Sequence, residues 1–128
     1  MAKNNLIFLI VFLISGCDSH NSNKITSKES AQKGKALFLS VGCTTCHSLS
    51  GEARYGPSLN KILNTDVIVI QGGKEHSLKV DREYIKRSIQ DPDFEKLIDF
   101  KNKKMPKPTL TADEIDQIAD YLISINSK

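Results

Sequence analysis

Apolar residues recur every three or four positions in two long segments of the chain, which is the spacing of a helix that buries one face. In the first segment this face consists of Gly34, Leu37, Phe38 and Val41. In the second it consists of Ile115, Ile118, Ala119, Leu122 and Ile125. Thr26 with Glu29, and Thr111 with Glu114, have the capping-box spacing that marks a helix start. The pattern therefore predicts one helix near each end of the folded domain.

The middle of the chain predicts a hairpin followed by a shorter helix. A β-branched run from Val67 to Ile70, two glycines at 72 and 73, and a second run from Ser77 to Val80 are typical of two strands joined by a glycine turn. Asp81 to Gln90 then carries apolar residues at helical spacing. Asp91-Pro92 ends this helix, because the residue before a proline avoids helical backbone angles.

The N-terminus has the pattern of an export signal, with Lys3 ahead of an apolar run from Leu6 to Ile14. This run is too short to span a bilayer, which takes about 20 residues in a helix. Ser15, Gly16 and Cys17 follow, and the segment resembles a bacterial lipobox, in which the cysteine receives a diacylglycerol. We therefore predict a lipoprotein signal peptide at residues 1–16 and a lipid anchor at Cys17. An ordinary signal followed by a stray cysteine is the alternative.

The segment after Cys17 is polar apart from Ile25 and cannot bury enough surface to fold alone. Residues 17–30 are therefore predicted to be the lipidated cysteine and a flexible tether, whose last few residues can join the first helix. Residues 31–128 would form a single domain. The predicted location is the outer face of the cytoplasmic membrane, periplasmic or extracytoplasmic, with the membrane held through the lipid at Cys17.

Charge and aromatic content limit what this domain can do. The chain has 18 Lys and Arg against 15 Asp and Glu, and this near balance argues against nucleic acid as a partner. Outside the predicted signal it keeps three Phe, three Tyr and no Trp. A domain of about 100 residues is marginally stable even with a full core. Either something other than side chains fills part of the interior, or the protein is barely stable.

Cys43, Cys46 and His47 have the C-x-x-C-H spacing of c-type haem attachment. In such a site two thiols bond to the two vinyl groups of one porphyrin, and the next residue brings an imidazole to the iron. Because only two residues separate the cysteines, one helical turn can supply both thiols and the imidazole. The motif predicts one covalently attached haem c with His47 as an iron ligand. Three alternatives to haem attachment stay open for this motif: a thioredoxin-type redox pair, a zinc site and a plain disulfide. The flanks are helical rather than βαβ, and His20 and His76 lack partners at zinc spacing.

Together with the flanking helices, these residues resemble class I cytochrome c over residues 31 to 126. Gly56-Pro57-Ser58-Leu59 resembles the family segment whose proline carbonyl accepts a hydrogen bond from the haem-ligating histidine, which implies that role for Pro57. Lys104-Met105-Pro106 implies Met105 as the distal haem ligand. Met105 is the one methionine outside the predicted signal, and it lies among lysines and prolines, where a core-filling methionine is unusual.

The resemblance implies an all-α fold, the class I cytochrome c fold, in which the N- and C-terminal helices cross and the haem lies in the core. Gly34 and Phe38 would meet Ile118, Tyr121 and Leu122 at the crossing. The residues expected to pack the haem are Leu59, Ile62, Leu63, Ile85, Ile89 and Phe100. The hairpin around residues 67–80 would be a small insertion. It makes the layout similar to the cytochrome domain fused to subunit II of haem-copper oxidases, without their copper-binding domain.

The implied function is single-electron transfer in a respiratory chain rather than enzymatic catalysis. With His47 and Met105 both on the iron, no position is left for a small-molecule substrate, and Met/His ligation raises the reduction potential. The expected partners are redox proteins such as a terminal oxidase or a quinol-oxidising complex. The alternatives are a fixed subunit through which electrons enter a larger complex, a haem peroxidase and a thiol–disulfide exchanger.

Four lysines bracket the predicted methionine ligand: Lys101, Lys103, Lys104 and Lys107. No acid lies between the first and the last of them. They are predicted to dock an acidic partner at the haem edge, and a solvated loop kept soluble by its charge is the equal alternative. His76, near the predicted hairpin turn, is expected to be a solvated surface residue.

Overall fold

The computed structural model describes residues 27–127, and within them the chain forms three α-helices, three strands and two short 3₁₀ turns. In chain order these are α1 (Ser27–Ser40), a 3₁₀ turn (Cys43–Thr45), β1 (Asp66–Gln71), β2 (Lys74–Lys79), α2 (Arg82–Gln90), β3 (Lys96–Leu97), a second 3₁₀ turn (Ile98–Phe100) and α3 (Ala112–Asn126). None of the helices in this part of the chain is long and apolar enough to cross a membrane.

The first helix begins at Ser27, so the last four residues of the predicted tether belong to α1. The predicted signal peptide at 1–16, the lipidation site Cys17, the rest of the tether and the cap at Thr26 lie outside the described residues.

Helices α1 and α3 cross in direct contact, as predicted, and Gly34 lies at the point of closest approach. A Cβ atom at Gly34 would overlap the backbone carbonyl of Gln117. The Phe38 ring packs beside Tyr121 with ring centroids 5.5 Å apart, and both side chains are buried. Glycine in a helix costs about 1 kcal/mol relative to alanine. Here it allows the two backbones to touch, and the packing of the rings offsets that cost.

The helix ends follow the side-chain signals of the sequence. At α3 the Thr111 hydroxyl accepts from the backbone nitrogen of Glu114, and the Glu114 carboxylate accepts from the backbone nitrogen of Thr111 at 2.8 Å, which confirms the capping box. Asp81 caps α2 by accepting from the Tyr84 nitrogen at 2.8 Å. The prediction that Val41 shares the buried face of α1 is wrong, because the helix ends before it and Val41 is 42% exposed.

A small antiparallel sheet has the strand order β2-β1-β3. The predicted hairpin is confirmed, and its two turn residues Gly72 and Gly73 both have positive φ, as a tight type I′ turn requires. The side chain of Val69 on β1 is fully buried and joins the core formed with the helices. The sequence pattern does not predict β3, which is two residues long and pairs with the end of β1. The domain is therefore mainly helical, and the expected hairpin insertion is extended by β3 to a three-stranded sheet.

Charged side chains connect the three helices. Arg82 on α2 forms ion pairs with Asp116 and Asp120 on α3, the first at 2.8 Å. Lys86 on α2 also reaches Asp116, at 2.9 Å. From α1, Ser30 donates a hydrogen bond to Asp120 at 2.5 Å. Single exposed ion pairs stabilise little, but this network fixes where α2 lies against the crossed helices.

Candidate functional site

A cleft of about 450 Å³ opens between the end of α1, helix α2 and the loop that precedes α3. Five of the six residues predicted to pack the haem line it: Leu59, Ile62, Ile85, Ile89 and Phe100. The sixth, Leu63, is not among the lining residues and is partly buried against the protein core. The thin core inferred from the sequence therefore corresponds to an apolar space inside the fold.

Cys43, Cys46 and His47 lie together at one wall of this cleft. They are carried by the first 3₁₀ turn, which follows Gly42 in a left-handed conformation with φ +85°. The carbonyl of Cys43 accepts from the backbone nitrogens of Cys46 at 3.3 Å and of His47 at 3.0 Å. The two cysteines are not joined in a disulfide, and burial raises the pKa of the Cys43 thiol. The turn thus presents two thiols and an imidazole to the same space.

The imidazole of His47 is fixed by a backbone carbonyl. Its Nδ1 lies 2.9 Å from the carbonyl oxygen of Pro57. Because a carbonyl oxygen can only accept, Nδ1 carries the proton and Nε2 keeps its lone pair for a metal. The segment that holds Pro57 is tied to the motif on both sides. Gly56 N donates to Cys46 O, and Leu59 N donates to Ser48 O, both at 2.9 Å.

Gly56 contributes space rather than a functional group. A Cβ atom at this position would lie 2.7 Å from Cε1 and 3.0 Å from Nδ1 of the His47 ring. From the sequence alone Gly-Pro suggests a simple turn, so the requirement for glycine beside the imidazole is visible only in the structure.

Met105 lines the cleft from the loop that precedes α3 and is partly buried. The loop is attached to the segment that contains Gly56 and Pro57 through Tyr55, whose hydroxyl accepts from the backbone nitrogen of Lys104 at 3.4 Å. The ammonium of Lys103 lies over the Tyr55 ring, 5.0 Å from its centroid. Tyr55 is 48% exposed and lines the cleft. The sequence analysis did not assign Tyr55 a role, because nothing near it in the chain indicates these contacts.

The four lysines do not occupy equivalent positions. All of them are exposed. Lys103 and Lys104 line the cleft, whereas Lys101 and Lys107 are not among its lining residues. The positive patch therefore borders the mouth of the cleft mainly through two of its four members.

A buried carboxylate, Glu95, lines the same cleft. Its side chain is 3% exposed and accepts from Arg87 Nε at 2.6 Å and Nη2 at 2.5 Å. His76 on β2 lies with Nε2 4.0 Å from the other carboxylate oxygen. His76 is 42% exposed, which confirms the expected surface position, but its acidic neighbour was not predicted from the sequence.

Ser88 also lines the cleft, and its Oγ is buried without a hydrogen-bond partner in the described residues.

The residues of the cleft fit a covalently held haem. Two thiols, an imidazole with a free Nε2 and a thioether all belong to the lining of one apolar space, and a large aromatic body there would complete the core. Within residues 27–127, no group of three or more His, Cys, Asp or Glu side chains could hold a metal ion. The zinc alternative therefore has no ligand cluster in that range.

The family model described as Cytochrome c matches residues 31–126, about three quarters of the chain. No curated protein matches the chain.

Proposed function

The chain belongs to the cytochrome c family, and from that membership we propose that it is a lipid-anchored, mono-haem electron carrier of a respiratory chain. Family members bind covalently attached haem c and carry electrons rather than catalyse a reaction on a substrate. The observation that carries the proposal is that Cys43, Cys46, His47 and Met105 all line one apolar cleft.

In this proposal Cys43 and Cys46 would hold the haem through thioether links, and His47 Nε2 and the Met105 sulfur would be the ligands of its iron. The haem supplies a one-electron ferric/ferrous couple. The protein's own residues bind and orient it. Pro57 holds the proton at Nδ1 of His47, which fixes the ring and raises its basicity as a ligand. With both of these ligands on the iron, no position would remain for a substrate.

Covalent attachment is tested with Cys43→Ser and Cys46→Ser proteins made together with the haem-attachment machinery. We expect wild type to keep its haem through denaturing electrophoresis and acid-acetone extraction, and each single variant to lose haem stain. Thr44→Ala, between the two cysteines and not among the lining residues, is the matched control. Wild-type protein that released its haem would overturn the proposal.

The anchored location is proposed from the sequence pattern of residues 1–17. Cys17 would carry the lipid, and the domain would work at the outer face of the cytoplasmic membrane with a terminal oxidase or a quinol-oxidising complex. Cys17→Ser should abolish labelling with radioactive fatty acid and release the protein from washed membranes. Ser19→Ala is the control. Labelling that survived Cys17→Ser would mean that the anchor lies elsewhere.

The second candidate is a fixed subunit through which electrons enter a larger respiratory complex. The observation that favours it is the hairpin of β1 and β2, which resembles the insertion in oxidase-fused cytochrome domains and carries Ile68 at 50% exposure. A shuttle would purify alone from mild-detergent extracts. A fixed subunit would bring stoichiometric partners, and Ile68→Asn would release them.

A further inference from the structure

One side-chain amide at the end of α3 anchors the loop that forms the histidine side of the cleft. Asn126 Oδ1 accepts from the backbone nitrogens of Ile62 at 2.8 Å and Leu63 at 3.5 Å. Its Nδ2 donates to the carbonyls of Leu59 at 2.9 Å and Leu122 at 2.8 Å. The amide therefore uses both ends, and three of its four contacts are to the loop.

The anchored loop has a backbone that needs such support. Lys61 has φ +58°, a left-handed conformation that costs a non-glycine residue about 1 kcal/mol or more. The two backbone groups on either side of it, Leu59 O and Ile62 N, are the ones bonded to Asn126. The amide thus encloses the strained residue and holds the turn closed.

The same loop leads directly to the histidine. Leu59 donates its backbone N–H to Ser48, the residue after His47, at 2.9 Å, while its carbonyl accepts from Asn126. Pro57, which accepts the Nδ1 proton of His47, lies two residues before Leu59. Leu59 and Ile62 also line the cleft. A short chain of hydrogen bonds therefore connects the C-terminal end of α3 to the imidazole.

We propose that Asn126 is a positioning residue for the His47 ligand: it holds the Pro57–Leu63 segment so that the Pro57 carbonyl stays on Nδ1. This inference rests on the proposed function, because it takes His47 as the haem ligand. Loss of the amide would leave Leu59 O and Ile62 N without their partner and let the turn around Lys61 relax. The Pro57 carbonyl would then be held less tightly against the ring.

The test compares Asn126→Ala holoprotein with two controls. Ser127→Ala removes a hydroxyl that bonds Ile123 O, one residue further along and away from the loop. Ser30→Ala breaks the hydrogen bond between α1 and Asp120, which loosens the helices without touching the loop. The measurement is hydrogen–deuterium exchange of the His47 Nδ1 proton in the ferrous protein by NMR, with the reduction potential recorded alongside.

We expect exchange of the Nδ1 proton to be about tenfold faster in Asn126→Ala, corresponding to ~1.4 kcal/mol of easier opening, with a shifted potential. Both controls should keep the wild-type exchange rate. Wild-type exchange and potential in Asn126→Ala would overturn the proposal. So would equal acceleration in Ser30→Ala at the same loss of global stability, because the effect would then be general loosening.

A second variant covers the case in which Asn126→Ala does not fold. Asn126→Asp keeps the acceptor for Ile62 N and loses the donor to Leu59 O, so it should also accelerate exchange, and a wild-type rate would count against the proposal. Failure of the proposed function is recognised separately. If the wild-type spectrum contains no haem-shifted resonances from His47, His47 is not the ligand, whatever Asn126 does.

Discussion

Gly56 leaves no room for a side chain next to the His47 imidazole. A Cβ atom would lie 2.7 Å from His47 Cε1, and the ring cannot move away without losing its bond to Pro57. We expect Gly56→Ala to displace the imidazole, reduce haem incorporation and lower the free energy of unfolding by about 1–3 kcal/mol, as overpacking does. Denaturant unfolding followed at the haem absorbance measures the effect.

Gly51→Ala is the control that separates steric overlap with a neighbouring side chain from the cost of placing alanine at a glycine position. Gly51 has φ +96°, but a Cβ there would meet no atom within 4 Å. Gly51→Ala should therefore lower the free energy of unfolding modestly and leave haem incorporation unchanged. Normal haem incorporation and stability in Gly56→Ala would show that the site can accommodate the methyl group.

Met105 is the second residue whose role a single substitution decides. If its sulfur is the distal ligand, Met105→Ala should abolish the near-infrared sulfur-to-ferric-iron band, lower the reduction potential and let cyanide bind the iron readily. Thr109→Ala, an exposed residue of the same loop that is not among the lining residues, should keep all three properties of wild type. An unchanged spectrum of Met105→Ala would assign the distal position to another residue.

At the scale of the helices, the Arg82 network makes stability depend on acid pH. The hydrogen bond from Lys86, and then that from Arg82, hold the pKa of Asp116 below its usual value. A carboxyl group with a lowered folded-state pKa contributes stability above its unfolded pKa, about 3.9, and loses it as the pH falls through the folded value. We expect stability to fall below about pH 4, and Asp116→Asn to flatten that fall.

The measurement is the free energy of unfolding from denaturant titrations between neutral pH and about pH 3. Asp99→Asn changes an exposed carboxyl group outside the network and should retain the wild-type slope. An equally steep acid loss in Asp116→Asn and wild type would mean that the network does not couple stability to this group.

The elements were predictable where their signals are local. The capping box at Thr111, the aspartate–proline end of α2 and the paired glycines of the hairpin each determine structure within a few residues of themselves. β3 was not predictable, because two residues carry no periodicity and its pairing comes from β1. The extent of α1 was overestimated at Val41 because an apolar residue at helical spacing can also lie at the rim of a cleft.

The residues of the site also fall into a group that the sequence predicts and a group that it does not. The C-x-x-C-H spacing, the Gly-Pro pair and the lone methionine identify residues that the structure gathers around one cleft. The supporting contacts of Glu95 with Arg87 and of Asn126 with the loop join residues that have no recognisable spacing. A partner 67 positions away, as Leu59 is from Asn126, leaves no signal in a single sequence.

For the whole molecule, the lysine patch tests how the domain meets its partners. We propose that Lys101, Lys103, Lys104 and Lys107 steer an acidic redox partner to the mouth of the cleft. Screening at 0.1 M salt acts over about 10 Å, so the electron-transfer rate with a purified membrane oxidoreductase should fall as ionic strength rises. Replacing all four lysines with glutamine should flatten that dependence.

A matched control changes the same amount of charge elsewhere. The exposed lysines Lys28, Lys35, Lys74 and Lys79 lie on α1 and β2. Changing these four to glutamine should leave most of the salt dependence intact. If the two sets behave alike, only net charge matters and the patch has no orienting role.

The order of the sheet also bears on whether copies of this domain aggregate when they are crowded together. β2 and β3 are both edge strands, and an edge with unpaired backbone groups can add a strand from a neighbouring molecule. β3 offers two residues, too few for a stable ladder, while β2 has a lysine at each end. The short length of β3 protects one edge of the sheet, and charge repulsion between lysines protects the other edge at β2. Crowded copies of this protein should therefore resist aggregation through β-pairing.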